Sequence, residues 1–143
     1  MKRLHIHIKT KDLDQSAAFY TALFGQAPTV RKADYAKWLL DDPAANVAVS
    51  THSENVGVAH VGVSVDEKDD LDAMAERLEK ASAPLAPEEA TTCCYARSDK
   101  YWTTDPQGAV WELFRTFGES ETYGAEPNLE AVVKDAPAPC CGV

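Results

Sequence analysis

The chain answers itself. HIHIKTKDLDQSAAFYTALFGQAP, from His5 to Pro28, is matched by HVGVSVDEKDDLDAMAERLEKASAP, from His60 to Pro84, and KWLLDDP at Lys37–Pro43 is matched by KYWTTDP at Lys100–Pro106. Each copy opens on an alternating apolar run, which reads as a strand because side chains two apart share a face. A helical segment follows. In the first copy Asp12 and Gln15 form a capping box, Leu13, Ala17, Tyr20 and Phe24 mark one face, and Gly25 stops the helix. In the second, Leu71, Met74, Ala75, Leu78 and Ala81 recur at helical spacing, and both stripes read as core. The runs NVAVSTH and AVWELFRT close the copies behind the turn signals DDPAAN and TDPQGA. The pattern predicts an α+β fold of two βαβββ modules, about 3–52 and 57–116, in one domain over 1–117. Residues 118–143 read as an acidic, then Ala/Pro-rich tail with a short helix in NLEAVVKD and a Cys pair near its end.

A chain of 143 residues, 45% hydrophobic and 26% charged, is long enough to build one real core. Its formal charge of -9 opposes general affinity for nucleic acid or anionic membrane, since both need clustered Lys and Arg. The opening MKRLHIHIKTKDL lacks a seven-residue apolar run, so it reads as neither secretory signal nor spanning helix and predicts a cytoplasmic address. In a reducing compartment the four cysteines read as thiols for metal or redox chemistry rather than as a disulfide framework. Both pairs, Cys93–Cys94 and Cys140–Cys141, are immediate neighbours, without the spacing of a tetrahedral zinc knot.

Duplication sets His5 and His60 in equivalent first strands, where they would face one cavity. His7 shares a strand face with His5, yet its repeat partner is Gly62, so it is an extra histidine without an assigned role. Glu112 sits between Val110–Trp111 and Leu113–Phe114, and a carboxylate buried there needs a partner or a metal. Its counterpart in the first copy falls around Val49 and carries no ligand. His5, His60 and Glu112 have the composition of a facial triad that leaves positions open on non-haem Fe(II). The step from Pro84 to Lys100 is longer than that from Pro28 to Lys37, and the extra residues fall in LAPEEATTCCYARSD. A loop there can turn both Cys93 and Cys94 toward one guest atom.

These residues resemble the vicinal oxygen chelate superfamily, the glyoxalase/extradiol dioxygenase fold, in which paired βαβββ modules form a curled sheet around a metal site. TTCCYARSDKYWTTDPQGAVWE, with AAFYTALFG, DYAKWLL and ETYG, is similar to the branch of organoarsenical carbon-arsenic lyases and cadmium-induced proteins. The resemblance implies metal ligands at His5, His60 and Glu112, and substrate-binding thiols at Cys93 and Cys94. It further implies an Fe(II)-dependent dioxygenase that uses O2 to break the carbon-arsenic bond of a trivalent methyl or aryl arsenical, releasing arsenite for arsenic resistance. A homodimer is expected on the same ground.

The chemistry of the residues agrees, since trivalent arsenic carrying one carbon is soft and has two exchangeable positions for two thiolates. Cys140 and Cys141 are candidates for capturing arsenical or released arsenite. Lys100 and Tyr95, near the thiols, are the candidate proton-transfer groups. Two other functions fit parts of the sequence: a non-catalytic Cd(II)/As(III)-binding resistance protein, and another metalloenzyme of the glyoxalase superfamily.

Overall fold

The computed structural model describes residues 1–133. Its elements run β1 (Lys2–Lys9), α1 (Leu13–Phe24), β2 (Val30–Arg31), β3 (Tyr35–Asp41), β4 (Ala44–Ser50), β5 (Gly57–Val65), α2 (Lys68–Lys80), β6 (Ala86–Cys93), β7 (Ala96–Thr104), β8 (Val110–Glu119) and α3 (Glu130–Val133). The order is βαβββ twice over, in an α+β fold, as the repeat predicts. The short helix expected in NLEAVVKD is α3, whereas Cys140 and Cys141 lie outside the described residues. Among the described residues no helix is long and apolar enough to cross a membrane. The chain forms two compact units, one of Arg3–Val61 and one that begins at Gly62 and includes Met1–Lys2.

In the first unit the strands lie in the order β2-β3-β4-β1, with β1 parallel to β4 and β3 antiparallel to it. α1 forms where the sequence places it. Asp12 Oδ1 accepts the Gln15 N–H at 2.9 Å, and Gly25 closes the helix at φ 68°, a conformation that a residue with a Cβ adopts only at a cost. Leu13 and Ala17 of the helix join Ala36, Trp38, Leu40, Val47 and Val49 in one buried cluster, with Tyr20 and Phe24 packed at its edge.

In the second unit β8, β7 and β6 follow one another in the sheet, with β7 antiparallel to both β8 and β6. Its core is Val65, Leu71, Met74 and Leu113, against which Val63, Leu78 and Tyr101 pack. Leu71, Met74 and Leu78 of the helical stripe read from the sequence meet this core, whereas Ala81 is the exposed C-cap residue. Asp105 Oδ1 accepts the N–H groups of Gln107 and Ala109, both at 2.9 Å, and this turns the chain between β7 and β8 at the signal TDPQGA.

Candidate metal and thiol sites

β1 reverses the usual arrangement of an alternating strand. Its buried residues are His5, His7 and Lys9, while Leu4 is exposed and Ile8 packs against the helix-side cluster. The polar face is supported by β4, which runs parallel beside it with His5 opposite Asn46 and His7 opposite Ala48. His5 Nδ1 lies 3.0 Å from the Asn46 backbone oxygen and 3.3 Å from Asn46 Oδ1, and His7 Nε2 lies 2.9 Å from Ser50 Oγ. A backbone carbonyl only accepts, so His5 Nδ1 carries the proton and its lone pair sits on Nε2, the state a metal requires.

His60 brings a third ring from β5. Its centroid is 5.3 Å from that of His5 and 5.1 Å from that of His7. One ligand nitrogen from each of the three histidines lies within 4.8 Å of the others. Imidazoles so grouped, with outer nitrogens turned to a carbonyl and a hydroxyl, fit a divalent first-row metal by donor type. The structure thus brings His5 and His60 together and adds His7. The signal for His7 was its period-two spacing from His5; the signals for Asn46 and Ser50 were polar residues in the otherwise apolar run NVAVS.

Glu112 is buried in β8, as its flanking residues predict, and its Oε1 accepts from Lys100 Nζ of β7 at 2.7 Å. Both side chains are almost wholly removed from solvent, so each charge depends on the other. Burial alone would lower the Lys100 pKa, but the charge of Glu112, reinforced by Cys93, outweighs it and raises the ammonium above its ordinary value. Lys100, expected as a proton-transfer group, is the charge partner of Glu112. The register corrects the placement of Glu112's counterpart. Glu112 stands opposite Trp102, Asn46 stands opposite Leu39, and Trp102 and Leu39 are equivalent in the two KxW/KxL repeats; the counterpart is Asn46 rather than Val49.

The backbone also explains why the second copy has Gly62 where the first has His7. A Cβ at Gly62 would lie 2.1 Å from the Glu112 carbonyl oxygen, so β8 leaves no room for any side chain there.

Cys93 ends β6 and Cys94 begins the turn to β7. Cys94 and Tyr95 have φ of 56° and 61°, the left-handed conformation at both central positions of a type I′ hairpin turn. That conformation is uncommon for residues with a Cβ, and its result is a Cys93 Sγ to Cys94 Sγ distance of 3.3 Å. The adjacent cysteines are therefore joined at a turn instead of divided between two sheet faces. Tyr95, the other proposed proton-transfer group, packs edge-on to Tyr123 with ring centroids 5.8 Å apart. A cavity of about 360 Å³ beside the hairpin is lined by Cys93, Lys100, Thr91, Thr92, Glu88 and Glu126, among others.

Comparison with known proteins places these features. The family model described as "Glyoxalase/Bleomycin resistance protein/Dioxygenase superfamily" matches residues 2–113. The chain is similar to the "Trivalent organoarsenical cleaving enzyme" of Bacillus sp. (strain MD1), 37% identical over 152 residues that cover 99% of this chain and 91% of the relative. It is also similar to the "Cadmium-induced protein CadI" of Mycobacterium bovis, 32% identical over 142 residues, 99% of this chain and 93% of the relative. The crystal structure of the Mn(II)-bound glyoxalase from Novosphingobium aromaticivorans shares the fold at a TM-score of 0.59 and 19% identity, over 92% of this chain and 45% of that one.

Proposed function

Because this chain belongs to the Glyoxalase/Bleomycin resistance protein/Dioxygenase superfamily, we propose that it is an Fe(II)-dependent dioxygenase that cleaves the carbon-arsenic bond of trivalent methyl or aryl arsenicals. The observation that carries this reading is the thiol pair of Cys93 and Cys94, with Sγ atoms 3.3 Å apart on a strained turn, in a chain similar over its whole length to an organoarsenical cleaving enzyme. Two soft donors at that separation suit a guest with two exchangeable positions and one retained carbon.

His5, His60 and Glu112 are the proposed metal ligands, and His7 belongs to the same group of imidazoles. When bound, Fe(II) supplies the capacity to bind and activate O2 that the chain's own side chains lack. The remaining work falls to the protein. Asn46 and Ser50 hold the His5 and His7 rings in orientation, Lys100 balances the Glu112 carboxylate, and the thiol pair fixes the arsenic so that only one substituent, the organic group, remains as leaving group. The products are arsenite and the oxidised organic fragment. We place the protein in the cytoplasm, where reduced thiols persist.

The test is aerobic arsenite release from methylarsenite with Fe(II), in the wild type and in a Cys93→Ser/Cys94→Ser double variant. Many arsenite molecules per chain in the wild type and none above background in the variant are expected; full turnover without the thiols would refute their role. A second reading, a non-catalytic Cd(II)/As(III) binder, is favoured by the similarity to the cadmium-induced protein. It requires stoichiometric depletion of the arsenical with no multiple turnover.

A further inference from the structure

The two thiols are not equivalent, and we infer that they take their guest in a fixed order: Cys93 forms the first bond to arsenic, and Cys94, positioned by Tyr123, forms the second. This rests on the trivalent organoarsenical reading for the identity of the guest, and on geometry for the order. Cys93 lines the 360 Å³ cavity, and Cys94 is not among its lining residues. A guest arriving through that cavity meets the sulfur of Cys93 first.

The segment after β8 fixes the second sulfur from behind. Gly124 forms a bridge with Cys93, and a Cβ at Gly124 would lie 1.9 Å from the Thr92 carbonyl oxygen, so the segment lies directly against the end of β6. This contact sets the buried Tyr123 beside the turn, where its hydroxyl donates to the Cys94 sulfur. Tyr123 is thus a positioning residue that acts through Cys94.

The electrostatics support the same order. The hydrogen bond from Cys94 lowers the Cys93 pKa, and the Lys100 ammonium of β7 adds to this against burial, Glu112 of β8 and Glu126 of the following segment. The shared proton raises the Cys94 pKa, joined by burial and by the charges of Cys93 and Glu112, while Tyr123 opposes. Glu88 of β6 also faces the cavity. Both effects point the same way: the thiolate is favoured on Cys93 and the proton on Cys94.

The chemistry balances without a redox partner. With a guest R–As(OH)2, the Cys93 thiolate forms an S–As bond as one As–O bond breaks, and the departing hydroxide takes the Cys94 proton to leave as water. The new Cys94 thiolate, held by Tyr123, then forms the second S–As bond, and the second hydroxide leaves as water with a proton from solvent. Arsenic remains trivalent throughout.

Two measurements on the full chain test the order. Iodoacetamide alkylation across pH, resolved by tandem mass spectrometry at each sulfur, should modify Cys93 at least about tenfold faster than Cys94 at neutral pH, as the thiolate fraction dictates. Equal rates, or Cys94 first, would overturn the proposal. Stopped-flow mixing with phenylarsine oxide, followed by arsenic–thiolate absorbance, should show a fast first phase that survives in Cys94→Ser and disappears in Cys93→Ser. Tyr123→Phe should keep that first phase and slow the second about tenfold, the loss of one hydrogen bond. A Tyr123→Phe variant that slows both phases alike, or neither, would refute the positioning role. Neither measurement involves turnover, so ordered thiols without arsenite release would sink the enzymatic reading alone, and turnover with equivalent thiols would sink the order alone.

Discussion

The two modules share a plan and divide the chemistry. In the first, β1 carries two of the three grouped imidazoles, His5 and His7, and β4 answers with neutral partners, Asn46 and Ser50, while the third, His60, comes from β5 of the second. In the second, β8 carries the carboxylate and β7 answers with a full charge, Lys100, while the β6–β7 hairpin adds the thiols. Asn46 and Glu112 occupy equivalent register positions, one holding a histidine and the other a lysine. Duplication has kept the backbone and let each buried polar position find its own partner, which the physics of burial demands of both copies.

The largest expected difference lies in the two equivalent lysines. Removing Lys100 leaves Glu112 buried and uncompensated, a loss of about 3–5 kcal/mol of folding stability. Lys37, its counterpart, is only half-buried, and Lys37→Met should stay within about 1 kcal/mol. Urea unfolding of the metal-free proteins measures both. Lys100→Met/Glu112→Leu, which removes both charges, should recover most of the loss; if it does not, the single variant fails through packing and not through an orphaned charge.

Gly62 and His7 give the next contrast. Gly62→Ala places a methyl group against the β8 backbone and should destabilise by about 1–3 kcal/mol. His7→Gly removes a side chain with no such clash, so the greater part of its effect should appear in metal affinity. Equal loss of stability from both would show that the His7 ring is itself a packing element of the first copy.

These contrasts mark what the sequence could convey. The βαβββ plan was legible because apolar periodicity and the caps at Asp12 and Gly25 are local properties of the chain. His5, His60 and the Cys pair were legible because repeat and insertion single them out. The Asn46 counterpart was not, because the two copies reach β4 and β8 through turns of different length, and only the hydrogen-bond register fixes which residues correspond. The Lys100–Glu112 pair joins residues twelve apart on different strands, and Tyr123 reaches Cys94 only because the chain after β8 returns over the hairpin. No local pattern encodes such contacts.

The groups behind the histidines offer a smaller effect. Asn46→Ala removes the Oδ1 contact to the His5 ring, and Ser50→Ala removes the Oγ contact to the His7 ring. Each should weaken metal binding, by up to about 10–100-fold, with little change in folding of the metal-free protein. Competition with a chromophoric chelator for Co(II) checks this. Since the Asn46 backbone carbonyl still accepts from His5 Nδ1 in Asn46→Ala, the Ser50 variant should show the larger change if His7 contributes to the metal. Unchanged affinity in Ser50→Ala would separate His7 from the site.

The helices give the smallest contrast, and it turns on what holds each one's ends. α1 has a side-chain cap, Asp12 to the Gln15 N–H, so Asp12→Ala should lower stability by about 1 kcal/mol. α2 has Glu67 at the equivalent position with no side-chain cap, and it relies instead on charge: Asp69 and Asp70 in the first turn, Arg77 and Lys80 in the last, and Lys68–Asp72 and Lys80–Glu76 pairs, each at 2.7 Å. Glu67→Ala should therefore change stability by only a few tenths of a kcal/mol. Salt distinguishes the two arrangements, because exposed charges are screened over about 10 Å at 0.1 M while a hydrogen-bonded cap is screened less. Amide exchange in the first turn of α2 should rise with added salt and that of α1 should hold nearly constant; parallel behaviour would mean that packing of the apolar stripes, and not the ends, decides when either helix opens.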